Sequence, residues 1–176
     1  MESVVRLIFF SKYKVLANNP ASIDKLNAAG RGMHDRMAIL DTRASGPVSK
    51  RLKWMDLIDF PGINGDGTIN LQGFDVHVGN DDPPTLRMLL VNNRPFLDPV
   101  WQTVLDATKL GANATIELFE TTLGSTKLRY VKTFSDPAIK TPNNVAFVGP
   151  DSFVLTNDKS AINGFVRLIA LPLSLP

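Results

Sequence analysis

Cysteine is absent from this 176-residue chain, which excludes disulfides, thiolate metal sites and cysteine nucleophiles. An excess of charge of one sign is also missing. Nineteen basic residues stand against seventeen acidic ones, a formal net charge of +2, and they are scattered along the sequence. No basic stripe marks a nucleic-acid surface, and no acidic tail marks a solvating role. No apolar stretch approaches the ~20 residues needed to span a bilayer. The N-terminus begins Met1-Glu2-Ser3, and Arg6 interrupts the apolar run 4–10. An export signal has a basic start and an unbroken apolar core of ~7–15 residues. The expectation is a soluble, non-exported chain with a buried strand at 4–10.

Convincing helical periodicity is scarce too, apart from a capped turn at 22–29 and a short surface helix within 100–110. The 44% of hydrophobic residues is enough to build one sizeable core, and it falls into short runs bounded by Gly, Pro, Asn and Asp. Runs at 36–40, 51–54, 69–78, 86–91, 114–121, 127–134, 143–148, 152–156 and 165–169 read as strands. Short strands at spacings of ~8–15 residues indicate an all-β sandwich, barrel or propeller. A propeller blade takes ~40–50 residues and four strands, so the chain has room for two to three blades. Asn64-Gly65-Asp66-Gly67 has the look of a calcium loop but lacks the regular Asp spacing and the closing Glu, so it reads as a turn. His34 lies among polar neighbours and reads as a surface histidine.

The segment 132–158 organises the rest. Asn143 and Asn144 precede the apolar run Val145-Ala146-Phe147-Val148, Gly149-Pro150-Asp151 turns the chain, and the next strand ends at Asn157-Asp158. Two clusters of oxygen-bearing side chains thus lie at strand ends, where a hard cation collects ligands. Asn and Asp at strand ends also simply form turns.

TPNNVAFVGPDSFVLTND resembles the calcium-site segment of the paraoxonase/arylesterase family, whose pattern is close to T-P-N-D-hydrophobic-x-x-x-G-P-x-x-F-x-x-T-N-D-H. NLQGFDV, LRMLLVNNRP and NATIELFE continue the resemblance upstream, and Asn27-Ala28-Ala29-Gly30-Arg31 resembles a segment of fungal-type members, so it covers residues 27–158. It implies a six-bladed β-propeller with two calcium ions in its tunnel. The implied activity is hydrolysis of lactones, aryl esters and, in some members, organophosphates.

The same resemblance locates the site and its alterations. The family's N-x-H-G pattern matches Asn70-Leu71-Gln72-Gly73, so Gln72 stands at one catalytic histidine position. V-N-H-R-P matches Val91-Asn92-Asn93-Arg94-Pro95, so Asn93 stands at the second. Neither side chain takes up a proton near neutral pH as imidazole does. Asn143 matches the asparagine of the catalytic calcium. Asn144 stands where the family has an aspartate on the structural calcium, and the Phe74 carbonyl matches another ligand of that ion. Asp158 keeps the T-N-D motif, but Lys159 replaces the histidine after it. The family's Glu-Asp pair near its N-terminus has no counterpart. Exchanging carboxylates for amides weakens calcium binding, so calcium is expected to bind weakly or not at all. His77 lies five residues from Gln72, and strict strand alternation puts it on the opposite face.

These readings predict a partial propeller domain at 1–160 followed by an apolar, Pro-containing tail at 161–176, whose composition looks unlike the family. The leading functional reading is a truncated, inactive relative of the calcium-dependent arylesterases and lactonases. The alternative is a non-catalytic β-rich binding or assembly module whose open blade edges recruit another chain, including a second copy. A third reading is residual hydrolase activity in an oligomer that completes the ring. Either partial-propeller reading expects strands 86–91, 146–148 and 154–155 to expose apolar side chains.

Overall fold

The computed structural model describes residues 5–10, 35–103, 105, 110, 112–157 and 168–172, with the backbone alone at 5–10 and 168–172. His34, Asp158, Lys159 and the expected turn at 22–29 lie outside the described residues. Eleven strands and one short helix make up the described secondary structure. The protein is all-β and propeller-like in part.

The first sheet contains β1 (Val5–Phe10), β2 (Arg36–Asp41) and β3 (Leu52–Trp54), with the helical turn α1 (Val48–Arg51) leading into β3. The second is built on a meander of four consecutive antiparallel strands, β5 (Leu71–Val78), β6 (Thr85–Pro95), β7 (Ala112–Thr122) and β8 (Lys127–Phe134). Such a meander is the repeating unit of a propeller blade. A short strand, β4 (Asp56–Ile58), adds to β8 in parallel register. The third sheet contains β9 (Pro142–Gly149), β10 (Ser152–Asn157) and β11 (Leu168–Pro172). β11 is an edge strand, which is where a proline-bearing segment can join a sheet.

Burial of β6 explains how the sheets stack. Met88, Leu89, Leu90 and Val91 are all at 0% exposure, although successive side chains of a strand point to opposite faces. A continuous apolar strand of this kind has both faces covered. Leu89 and Val91 pack with Ile116, Leu118, Val145, Phe153 and Leu155, on the side of β9 and β10. Met88 and Leu90 pack with Met37, Met55, Phe60, Ile69, Phe119 and Leu128, toward the first sheet. The expected exposure of 86–91 and 154–155 is therefore wrong: Leu89, Leu90, Val91 and Leu155 form core, and in 146–148 Val148 is the large exposed side chain.

Two local features position the site. A register shift between Leu71 and Phe74 marks a bulge in β5 against β6. After β6, Asp98 accepts hydrogen bonds from the Val100 and Trp101 amides, so that part of 100–110 is a tight turn rather than a helix. No helix among the described residues is long and apolar enough to cross a membrane.

Candidate functional site

The polar end of β6 carries three adjacent buried residues, Asn92, Asn93 and Arg94, each at 0% exposure. Alternation sends Asn93 toward β9 and its two neighbours toward the first sheet. The Asn93 amide nitrogen donates to Gln72 Oε1 at 2.5 Å and to the Pro142 carbonyl at 3.3 Å. Gln72 Nε2 in turn donates to Asn143 Oδ1 at 3.0 Å. The two residues that the resemblance sets at histidine positions and the residue that it sets at the catalytic-calcium position are thus joined in one chain, Asn93–Gln72–Asn143. Asn93 is buried, Gln72 is half-buried and Asn143 is exposed, so the chain runs from the core to the surface.

β5 and β9 meet along a seam beside this chain. A Cβ built on Gly73 would lie 2.5 Å from the Asn143 carbonyl oxygen and 2.9 Å from Asn144 Oδ1, so only glycine permits this approach. Phe74, whose carbonyl was matched to a calcium ligand, follows Gly73 directly. Asp75 Oδ2 accepts a hydrogen bond from the Phe147 amide at 2.8 Å, and the His77 ring packs 5.6 Å from the Phe147 ring. Arg87 closes the far end by donating to the Pro150 carbonyl beside Asp151.

The alternation argument for His77 fails at the bulge. Gln72 and His77 both reach β9, because the extra residue between Leu71 and Phe74 resets the strand's parity. His77 still cannot serve as a base for the Gln72 end. Their contacts on β9, Asn143 and Phe147, are four residues apart, roughly 13 Å along a strand.

Asn92 builds a second network on the other face. Its Oδ1 accepts the Asn70 amide at 2.9 Å, and its Nδ2 donates to Glu117 Oε1 at 3.0 Å. The fully buried Glu117 also accepts from Thr115 Oγ1 at 2.6 Å and from the Thr133 hydroxyl. Tyr130 OH lies 2.9 Å from Thr133 Oγ1 and donates to it, since Thr133 gives its own proton to Glu117. Arg94 pairs with Asp66 in the loop 61–68, whose Oδ1 accepts the Thr68 amide and hydroxyl. Partial burial pushes the Asp66 carboxyl up, but the Thr68 hydrogen bonds and the Arg94 charge outweigh it and hold the group below its ordinary value. The turn rejected above as a calcium loop therefore anchors an arginine instead.

Sequence reasoning missed Asn92, Glu117, Asp66 and Asp75. A visible signal existed for Glu117, a carboxyl set between Ile116 and Leu118 in the middle of a long strand.

These residues do not fit a resident calcium ion. Calcium takes about six to eight oxygen ligands, usually with carboxylates among them. Asn143 Oδ1 already accepts from Gln72, and Asn144 Oδ1 accepts the Val145 amide at 3.0 Å. The nearby Asp75 is committed to β9. Among the described residues there is no group of three or more His, Cys, Asp or Glu side chains arranged to hold a metal.

The family comparison adds to this geometry. The chain is arylesterase-like over residues 96–176. That match covers a little under half of the chain and includes β7 to β11, with Asn143, Asn144 and Asp158. It also runs through 161–176, within which β11 pairs with β10. Gln72, Phe74 and Asn93 lie upstream of the match, and Gln72 and Asn93 are tied to it by contacts with β9. No curated protein matches the chain.

Proposed function

We propose that this chain is a non-hydrolytic arylesterase-like propeller segment, in which the place of the hydrolytic base is taken by carboxamides. The observation that carries the reading is the Asn93–Gln72–Asn143 chain. Hydrolysis of an ester or lactone needs a group that takes a proton from water, and a carboxamide does not do so near neutral pH. Losing a positioned general base typically removes ~10²–10⁴ in rate. The donor set offers neutral amides where an oxyanion-stabilising cation would need carboxylates. In this reading the six-bladed ring, the family's calcium dependence and its ester and lactone substrates describe ancestry rather than present chemistry.

The test is hydrolysis of phenyl acetate and a simple γ-lactone by purified protein, with calcium and with chelator. Background rates in both conditions are expected. Calcium-dependent turnover that chelation abolishes overturns the proposal.

A second reading, an assembly module that binds another copy of itself, is favoured by exposed apolar side chains. Val78 and Val148, at the ends of β5 and β9, are 57% and 60% exposed. Exposed apolar side chains mark an interface where they join into one contiguous patch. Light scattering over a concentration series separates the two readings, and a stable monomer at all concentrations removes the second.

A further inference from the structure

Two of the amide oxygens that a cation would have to take, Gln72 Oε1 and Asn143 Oδ1, already accept hydrogen bonds from neighbouring side-chain amides. We infer that the carboxamides of Asn93, Gln72 and Asn143 form a metal-independent pin that ties β5 and β6 to β9. Asn93 is the hub. It is fully buried, and its amide nitrogen serves two acceptors, Gln72 Oε1 on β5 and the Pro142 carbonyl on β9. Gln72 accepts at one end and donates at the other, which passes the chain on to Asn143 Oδ1.

The pin has a direction. Rotating the Gln72 amide by half a turn would set nitrogen against the Asn93 nitrogen and oxygen against Asn143 Oδ1. Rotating the Asn93 amide would set its oxygen against both the Pro142 carbonyl and Gln72 Oε1. The arrangement holds because Gln72, the middle member, is an amide that accepts at one end and donates at the other. A carboxylate at position 72 would accept from Asn93 but would have no proton for Asn143. An aspartate at position 93 would leave the Pro142 carbonyl facing an oxygen.

The pin also needs no counter-charge. A cation bridging these strands would take Asn143 Oδ1 from Gln72 and strand the Gln72 amide at a half-buried position. Buried polar groups left without partners cost more than a made hydrogen bond returns. Close packing at Gly73 and the Asp75–Phe147 bond continue the same junction along β9, again without a metal. These contacts thus tie β5 and β6 to β9 without a metal. This holds whether or not the chain hydrolyses esters, so the experiment reads stability and proton exchange and not turnover.

Thermal unfolding of the full chain is measured in chelator and in millimolar calcium. The two midpoints are expected to agree within about 1 °C, since an ion that does not bind the native state does not stabilise it. Asn93→Ala is expected to lower the midpoint by about 3–10 °C, equally in both buffers. A wild-type midpoint raised several degrees by calcium overturns the inference, and so does an unchanged Asn93→Ala midpoint.

Wild-type protein supplies the readout that survives if Asn93→Ala fails to fold. In calcium-free buffer the Asn93 side-chain amide protons should exchange at least tenfold slower than those of exposed Asn144, on the order expected for buried against exposed amides. Equal exchange rates overturn the inference. Gln72→Met keeps the side-chain length and removes both Gln72 bonds, so it should speed exchange at Asn93. A merely space-filling Gln72 would leave that rate unmoved and would overturn the inference.

Discussion

Gly73 lies so close to Asn143 that a single added carbon would stand 2.5 Å from the Asn143 carbonyl oxygen. The obstacle is backbone, with the Asn144 Cα also at 3.0 Å, so no side-chain rotation relieves it. Gly73→Ala must push β5 from β9 and is expected to cost about 1–3 kcal/mol. Thermal or urea unfolding measures the loss. Because the Asp75–Phe147 bond lies two residues along the same seam, amide exchange at Phe147 should accelerate in this variant.

Asp66 should make stability pH-dependent on the acid side. Its folded pKa is lowered from 3.8, because burial, which raises it, is outweighed by the Thr68 hydrogen bonds and the Arg94 charge. A depressed carboxyl contributes stability that is fully present above its unfolded pKa and is lost as pH falls through the lower folded value. The wild-type midpoint should thus exceed that of Asp66→Asn by roughly 2–6 °C at neutral pH. The gap should close below about pH 4. A gap that is constant from neutral to strongly acid pH would show that Asp66 is not the responsible group.

Glu117 serves three donors from within the core, those of Asn92, Thr115 and Thr133. Glu117→Gln keeps the shape but replaces one acceptor oxygen with a nitrogen that confronts a donor. The expected cost is about 1–3 kcal/mol. Glu117→Ala should cost more, since it strands every donor and opens a void. Chemical denaturation of both variants checks the order.

Returning imidazoles to the family positions should not return the activity. The double change Gln72→His with Asn93→His supplies bases but breaks the amide chain and adds no carboxylate for a cation. Phenyl acetate turnover is expected to stay within about tenfold of background, well short of the ~10²–10⁴ a positioned base provides. Asn144→Asp, by contrast, should strengthen calcium binding measured by isothermal titration, because it adds the missing negative charge beside Asn143.

Much of the fold was legible in the sequence because strand boundaries are set locally. Turn residues at Gly79 to Pro84 separate β5 from β6, and Gly124-Ser125 separates β7 from β8. Gly124, at φ +90°, shows why a glycine marks that hairpin. β4 went unread because it is only three residues long and pairs in parallel with a strand some seventy residues away. Residues 86–91 were assigned to strand but to the wrong environment, since an unbroken apolar run does not say what covers its second face. Motif resemblance singles out Gln72, Asn93 and Asn143 but does not tell how they meet. Gln72 meets Asn93 and Asn143 across 21 and 71 residues, distances over which local pattern carries no information. His77 was misplaced for a smaller reason, a single extra residue in β5 that alternation counting overlooks.

The order Val91-Asn92-Asn93-Arg94 on β6 also acts as a check on strand alignment. Asn92 and Asn93 are chemically the same, so a slip of one residue would still offer an amide to one of the two networks. The residues flanking them remove that ambiguity. A slip one way brings Arg94 to the place of Asn93, driving a guanidinium between Pro142 and Gln72 and abandoning Asp66. A slip the other way brings Val91 to the place of Asn92 and leaves Glu117 and the Asn70 amide without it. Misaligned forms are therefore penalised by a buried charge in one direction and by deserted polar groups in the other. Four consecutive residues thus give β6 a single permitted alignment, and they do so at the point where Asn93 joins it to β9.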